Sequence, residues 1–280
     1  MNNIFITGAT GFLGKNFLKK ALSKGHHVKA LIRNSNNVLY EKNLKWINSS
    51  IIDANSEMMA DSEIFVHFAS AGVSPKIVDN IEMISTNVLG TAHLIECAVK
   101  ASIKRIILVG SCFEYGEKTL SEQPIQADAV LNPISSYGAS KAASFQISIS
   151  QCRTYDLEMF YGRVFSVYGD GQFSKNFWPS LKKAALEGHD FKMTSGEQIR
   201  DFIHVDAVTN EFLSACSRKD LIPGKVLVKN IGSGNPTKLV DFAKSEWKRL
   251  NAKGKLLPGL ISSRVKEPQC LNPDLKEKII

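Results

Sequence analysis

The stretch "TGATGFLG", residues 7–14, constrains this chain more than any other. It follows the short β-rich run "NIFI". It opens "FLGKNFLKKALSKG", residues 12–25, whose apolar spacing is helical and which stops on Gly25. Gly8, Gly11 and Gly14 therefore stand at a strand-to-helix turn. One glycine permits the tight turn, a second lets a pyrophosphate approach the backbone, and a third lets the helix pack closely on the strand. The free N–H groups at the helix start then face the phosphates. The stretch predicts a βα unit that binds a dinucleotide.

The alternation continues. Strand patterns recur at 27–33, 44–48, 63–69, 105–111 and 157–165, with amphipathic helices over 81–101 and 136–155. Such alternation implies an α/β fold, a Rossmann-like doubly wound parallel sheet with both faces covered. After residue 165 loops lengthen and Gly and Pro become frequent. Helical spacing returns at 175–187, 205–218 and 237–250, and a strand at 225–231 can still join the main sheet. The expected organisation is a dinucleotide-binding domain over 1–165 and a smaller C-terminal substrate lobe over 166–280.

With 280 residues, 44% of them hydrophobic, the chain has ample material for that core. No apolar run approaches the roughly eighteen residues of a membrane span, and "MNNIFITGAT" carries no charged leader or cleavage site. Five scattered cysteines without a C-x-x-C pair point to reduced thiols in a cytoplasm. The six histidines have no metal-ligand spacing, so no metal is expected. The net charge of +8 comes from spread lysines. It fits a phosphorylated small molecule better than a nucleic acid.

A second stretch, "NPISSYGASKAA", puts Tyr137 four residues ahead of Lys141 at a helix start behind a Ser-Ser cap. A free phenol ionises near pH ~10, too high for a base at neutrality. The lysine on the same face, the positive helix end and a nearby oxidised nicotinamide would each lower it. The pair reads as a proton-transfer device.

The G-x-x-G-x-x-G turn and the Y-x-x-x-K pair together resemble the extended short-chain dehydrogenase/reductase family, the NAD-dependent epimerases and dehydratases, over nearly the whole chain. The resemblance implies catalysis by Ser111, Tyr137 and Lys141, with Ser111 in "VGSCFEYG" bonding the reacting oxygen. It implies cofactor contacts from Gly8, Thr10, Gly11, Phe12, Leu13, Gly14, Arg33, Asp53, Ala69, Tyr137 and Lys141, with Asp53 at the adenine. The second strand ends "ALIRN", with Arg33 and no acid. An arginine there suits a 2′-phosphate, so NADP(H) is favoured and NAD(H) is the alternative.

The resemblance also speaks to substrate. "GEQIRDFIHVDAV" is similar to the segment whose arginine grips a nucleotide diphosphate, which assigns that role to Arg200. Arg264 in "SSRVKE" offers a second phosphate ligand, and Ser166 and Asn176 are further substrate contacts. Ser166 stands where the family usually has Asn, and Ala207 where it usually has a second Asp. A nucleoside diphosphate-sugar is the expected substrate. The family's 4,6-dehydratases carry Thr-Asp-Glu where this chain has Ser111, Cys112 and Phe113, which argues against dehydration. GDP-fucose synthases carry a cysteine two residues before the tyrosine, and here that place is Phe113. Two reactions remain: reduction of a 4-keto deoxysugar nucleotide, which is favoured through similarity to CDP-abequose and CDP-paratose synthases, and C4 epimerisation of the UDP-glucose 4-epimerase type. Relatives that act as inert regulators typically lose Tyr or Lys, and this chain has both. The resemblance further implies a homodimer paired through helices 81–101 and 136–155. Relatives usually continue past "NPDLKEKII" through another helix, so a truncated chain or a naturally short lobe is expected.

Overall fold

The structure is a computed structural model that describes residues 1–34, 40–73, 78–116, 124–262 and 268–280. In chain order the elements are β1 (Asn3–Thr7), α1 (Phe12–Ser23), β2 (His27–Ile32), β3 (Leu44–Asn48), β4 (Ile64–His67), α2 (Asn80–Ile84), α3 (Gly90–Lys100), β5 (Arg105–Ser111), α4 (Ser136–Tyr155), β6 (Glu158–Val164) and β7 (Ser166–Tyr168). They continue with α5 (Phe177–Glu187), β8 (Phe191–Lys192), β9 (Ile199–His204), α6 (Val205–Ala215), β10 (Val226–Ile231), β11 (Pro236–Lys238), α7 (Leu239–Arg249), β12 (Leu256–Leu257), β13 (Cys270–Leu271) and β14 (Lys278–Ile279).

Eight strands form the main sheet in the order β14-β10-β6-β5-β4-β1-β2-β3. All pairs in it are parallel except β10 with β14. Parallel strands need covered faces, and β4 is buried at every residue. Side-chain alternation splits the core in two. Ile4, Ile6, Val28, Ala30, Ile64 and Val66 pack beneath α1 and α6 with Phe17, Ala21 and Phe212. Phe5, Leu31, Phe65, Ile106 and Leu108 face the other way, against Leu94 and Ala98 of α3 and Phe145 and Ile149 of α4. The strand order reverses between β1 and β4, so the crevice at their carboxyl ends is the topological switch point where such sheets bind ligands.

After residue 165 some segments return to the main fold, as the 225–231 pattern allows: α6 packs in the main core, and β10 and β14 extend the main sheet. What remains apart is the sheet of β11, β9 and β13 with β7 beside β9, plus α5 and α7 around Leu181, Met193, Val240 and Trp247. One expectation needs correction: the helix expected over 81–101 is not regular. A π-helical turn, Ser85–Leu89, interrupts it between α2 and α3. Such turns are rare and gather at functional sites.

Among the described residues, no helix is long and apolar enough to cross a membrane. The five cysteines are free thiols, and Cys97, Cys112, Cys152 and Cys216 are buried.

Candidate active site

The glycine turn closes tightly after β1. Gly8 has φ +70°, and a Cβ there would lie 2.5 Å from the backbone nitrogen of Ala69, on the chain leaving β4. A Cβ on Gly14 would overlap the Gly8 carbonyl. Close approach at both places, and not only turning, therefore requires glycine. The Gly11 amide donates to the Gly8 carbonyl at 2.9 Å, and Gly11 caps α1 with no side chain over the helix end. No acidic residue stands in the first turn. A dinucleotide fits this cradle, because the amides of Phe12, Leu13 and Gly14 begin the helix with their positive end unopposed. Thr10 lies in the turn itself. At the far end of the crevice, Arg33 is exposed just past β2. Asp53 is exposed in the turn after β3, where the Ser50 hydroxyl donates to its carboxylate at 2.5 Å.

Ser111 ends β5, and Tyr137 and Lys141 sit in the first two turns of α4. Ser135 caps α4 by accepting from the Gly138 amide at 3.1 Å. A Cβ on Gly138 would overlap the Phe113 carbonyl, so glycine lets α4 press against the turn after β5. That close contact brings the Tyr137 hydroxyl near the Ser111 side chain, which acts on the phenol. Lys141 is 4% exposed, one helical turn further on. Phe113 meets the Tyr137 ring edge-on, with centroids 6.4 Å apart.

The electrostatics differ from the expectation that Lys141 and the helix end bring the phenol down. Burial pushes Tyr137 up to about 12, against its hydroxyl partners Ser111 and Ser70, and Glu114 and Cys112 push the same way. Burial also depresses Lys141, while Glu114 opposes that shift. The phenol is therefore protonated at neutral pH in the protein alone.

Glu114 is a residue the sequence reading passed over. It sits three residues after Ser111 in a capping box, accepting from the Ser111 amide at 2.7 Å. The Tyr161 hydroxyl donates to the same oxygen at 2.8 Å, and the other oxygen accepts from Nε of Arg163 at 2.6 Å. Arg163 also donates to the Ala127 carbonyl at 2.6 Å and lies over the Phe145 ring. This buried ion pair fixes the floor beneath Ser111. The S-x-x-E spacing was the available signal.

Asn87 and His67 were also passed over. Asn87, in the π-helical turn, is 1% exposed and bonds the chain after β4 on one side and Ser140 of α4 on the other. His67 ends β4, with Nδ1 2.6 Å from the Thr7 hydroxyl and Nε2 3.0 Å from the Thr91 hydroxyl. Thr91 donates its own proton to the Asn87 carbonyl at 2.7 Å, so His67 Nε2 must be the donor and Nδ1 the acceptor. Burial pushes His67 down to about 3, and the Lys141 charge adds to the shift. A polar residue on the apolar face of a helix, or in a fully buried strand, was the signal here.

Arg200 lies in β9, 6% exposed, and donates to the Ile199 carbonyl at 2.8 Å. Its charge acts on both Cys112, the neighbour of Ser111, and Cys270 of β13. Burial nevertheless pushes the Cys112 thiol up to about 12. Ser166 begins β7 and pairs with Phe202 of β9. Asn176 precedes α5 without a side-chain cap bond to it. Arg264 lies outside the described residues. Ser111, Tyr137, Lys141, the glycine turn and Ala69 thus share one crevice, and Arg200 approaches it from the lobe. Among the described residues there is no cluster of groups that could hold a metal ion.

A sequence model of the NAD dependent epimerase/dehydratase family matches residues 4–232, from β1 through β10. The chain belongs to this family. Protein CapI of Staphylococcus aureus is 27% identical over 274 residues, covering 86% of this chain and 81% of CapI. A dTDP-glucose 4,6-dehydratase of Streptomyces antibioticus is 28% identical over 253 residues, covering 83% of this chain and 72% of that protein. Among solved structures, MoeE5 in complex with UDP-glucuronic acid and NAD superposes with a TM-score of 0.86 at 25% identity, over 98% of this chain and 90% of that chain. As an epimerase/dehydratase family member the protein is an NAD-dependent nucleotide-sugar enzyme. The family match spans both the glycine turn and Arg200.

Proposed function

We propose that the protein reduces the 4-keto group of a deoxysugar carried on a nucleoside diphosphate, with NADPH as the favoured reductant. The observation that carries this reading is the placement of Tyr137 and Lys141 at the start of α4 beside Ser111 at the end of β5, with burial holding the phenol protonated up to about 12. A protonated phenol is the form that donates to a carbonyl oxygen as it becomes a hydroxyl. In this reading Ser111 orients that oxygen, and Lys141 adds positive charge beneath the phenol. A bound reduced nicotinamide would supply the hydride to the sugar carbon. Arg200 binds the diphosphate with Arg264, Ser166 and Asn176 in support. Arg33, exposed past β2, takes the 2′-phosphate, and Asp53 the adenine.

Dehydration needs an acid and a base at the sugar. Neither Cys112 nor Phe113 carries a carboxyl group: burial pushes the Cys112 thiol up to about 12, so no thiolate base forms near neutrality, and the Phe113 ring has no proton to give or take. Glu114 is engaged by Arg163, Tyr161 and the Ser111 amide. One observation favours a second reading, redox-neutral C4 epimerisation with retained NAD. MoeE5, the structural neighbour at 25–26% identity, was solved with NAD together with UDP-glucuronic acid or UDP-glucose.

The free thiols fit a cytoplasmic protein. Ile81, Ile84, Leu89 and Ile147, all exposed on α2, the π-helical turn and α4, fit a homodimer paired through these helices.

The deciding experiment is to denature the purified protein and identify any released dinucleotide by mass, then to assay CDP- and dTDP-4-keto sugars with NADPH and NADH. An empty protein that consumes NADPH with a 4-keto sugar supports reduction. Stoichiometric released NAD, with no net consumption of reductant, supports the epimerase.

A further inference from the structure

Arg200 and Asp201 are neighbours in β9, so their side chains leave the strand on opposite faces. Asp201 is 0% exposed. Each of its carboxylate oxygens accepts one backbone amide, from Ser233 at 2.5 Å and from Gly234 at 2.7 Å. Both amides belong to the turn that leaves β10 of the main sheet and enters β11 of the lobe. Pro236, which pairs with Asp201 across the β9–β11 ladder, has no N–H to give. The carboxylate therefore makes the join that the backbone cannot make at this place. Room for it depends on Gly232, where a Cβ would lie 2.9 Å from Asp201 Oδ1 and 2.7 Å from Pro273.

The turn has a firm base. Ile231, the last residue of β10, accepts from the Phe165 amide at 3.0 Å, at the carboxyl end of β6. The opposite side of β9 is held as well. Leu271 of β13 pairs with Arg200 and shares a buried apolar cluster with Cys112, Tyr115 and Phe165, beside the turn that follows Ser111. The Arg200 backbone thus stands between a strand docked near the active-site turn and a carboxylate locked to the end of β10. An arginine grips two phosphate oxygens only when its fork is correctly aimed.

We propose that Asp201 is a positioning residue for the substrate diphosphate: clamped on the two turn amides, it sets where Arg200 stands over the carboxyl ends of the main-sheet strands. This rests on the reading of Arg200 as the diphosphate ligand. Asp201 leaves the other face of β9 and acts through Arg200. Asp201→Asn keeps the size of the side chain but loses one acceptor, since its NH2 would face an amide donor.

The test is isothermal titration of the full chain with UDP, CDP and dTDP, then with the monophosphate of the base that binds tightest. Asp201→Asn should weaken the diphosphate about tenfold and lower the preference for diphosphate over monophosphate, while NAD and NADPH bind within about twofold of the parent. In steady state the KM for a nucleotide-sugar should rise about tenfold with kcat little changed. Arg200→Met should weaken the diphosphate at least as much. In the double variant Asp201→Asn should add little, because both changes act through one guanidinium. Gly232→Ala, whose Cβ displaces the carboxylate, should show the same selective loss and carries the test if Asp201→Asn does not fold. Equal losses for diphosphate and dinucleotide, or losses that simply add in the double variant, overturn the proposal. If Arg200→Met weakens the diphosphate and Asp201→Asn does not, only the role of Asp201 fails. If Arg200→Met leaves the diphosphate unaffected, or the parent binds none of the three, the reading of Arg200 fails and takes this inference with it.

Discussion

Glu114 and Arg163 form an ion pair with almost no solvent contact, 0% and 1% exposed, closed at 2.6 Å beneath the serine that ends β5. The pair joins the turn after β5 to β6, and its acid also holds the Ser111 amide. Removing one member strands the other charge in the interior, which costs about 3–5 kcal/mol. Glu114→Gln should lower the thermal midpoint by roughly 10 °C. It should also reduce turnover, because the Ser111 hydroxyl loses its fixed mount. Adding Arg163→Met should recover part of the stability but not the activity. A midpoint within about 2 °C of the parent in differential scanning calorimetry would contradict this account.

His67 makes folding sensitive to acid. Burial holds its folded pKa at about 3, well below the ordinary imidazole value of 6.5. Below pH 6.5 the unfolded chain takes up a proton that the folded chain refuses, so stability falls as pH falls from 6.5 toward 3. Between pH 8 and 5.5 this amounts to about 1.4 kcal/mol, above the range where carboxylates titrate. His26, which burial also lowers, adds a change of the same sign. His67→Gln should be less stable at pH 8 yet show a flatter dependence over that window. Urea midpoints at several pH values would measure it, and parallel curves for the two proteins would rule it out.

Much of this was legible in the sequence for physical reasons. The glycine turn, the alternating strands and Tyr137 with Lys141 obey local rules of spacing, and the structure sets β1, β5 and α4 where those rules put them. The residues passed over act across distance. Asn87 takes its meaning from Ser70 and Ser140, Glu114 from Arg163, and His67 from Thr7 and Thr91. None of these partners is a sequence neighbour, except that Glu114 also caps Ser111. β10 was legible as a strand able to rejoin the main sheet, whereas β14 is two residues long and takes its place only from its pairing with β10.

Gly14 tests the cradle. Its missing Cβ leaves room for the Gly8 carbonyl, and the turn cannot widen without moving Ala69 against Gly8. Gly14→Ala should reduce dinucleotide affinity at least about tenfold, through displacement of the amides that would hold the diphosphate. Isothermal titration with NADPH and NAD checks it. Unchanged affinity for both would mean that the diphosphate lies elsewhere.

The exposed face of α2 and α4 tests assembly. Ile84 and Leu89 are 47% and 58% exposed on consecutive turns. If they meet a second copy, Ile84→Asp with Leu89→Asp should convert a dimer to a monomer without changing the circular dichroism spectrum. Light scattering after size exclusion reads the mass directly. A parent protein that is already monomeric at micromolar concentration would remove the dimer.

The sign of the pH dependence distinguishes the two directions of the proposed chemistry. Because burial holds the Tyr137 phenol up to about 12, the protonated form dominates throughout the neutral range. Reduction uses that form, so its kcat should be nearly flat from about pH 6 to 9 with respect to this group. Oxidation of the corresponding alcohol needs the phenolate, whose fraction grows tenfold per pH unit below the midpoint. The reverse rate should therefore climb with pH until the midpoint that the bound complex imposes. Tyr137→Phe should remove about two to four orders of magnitude from both directions while NADPH still binds. Initial rates in both directions across pH, for the parent and for Tyr137→Phe, measure all of this. A reverse rate that stays flat in the parent would mean that the proton passes through another group.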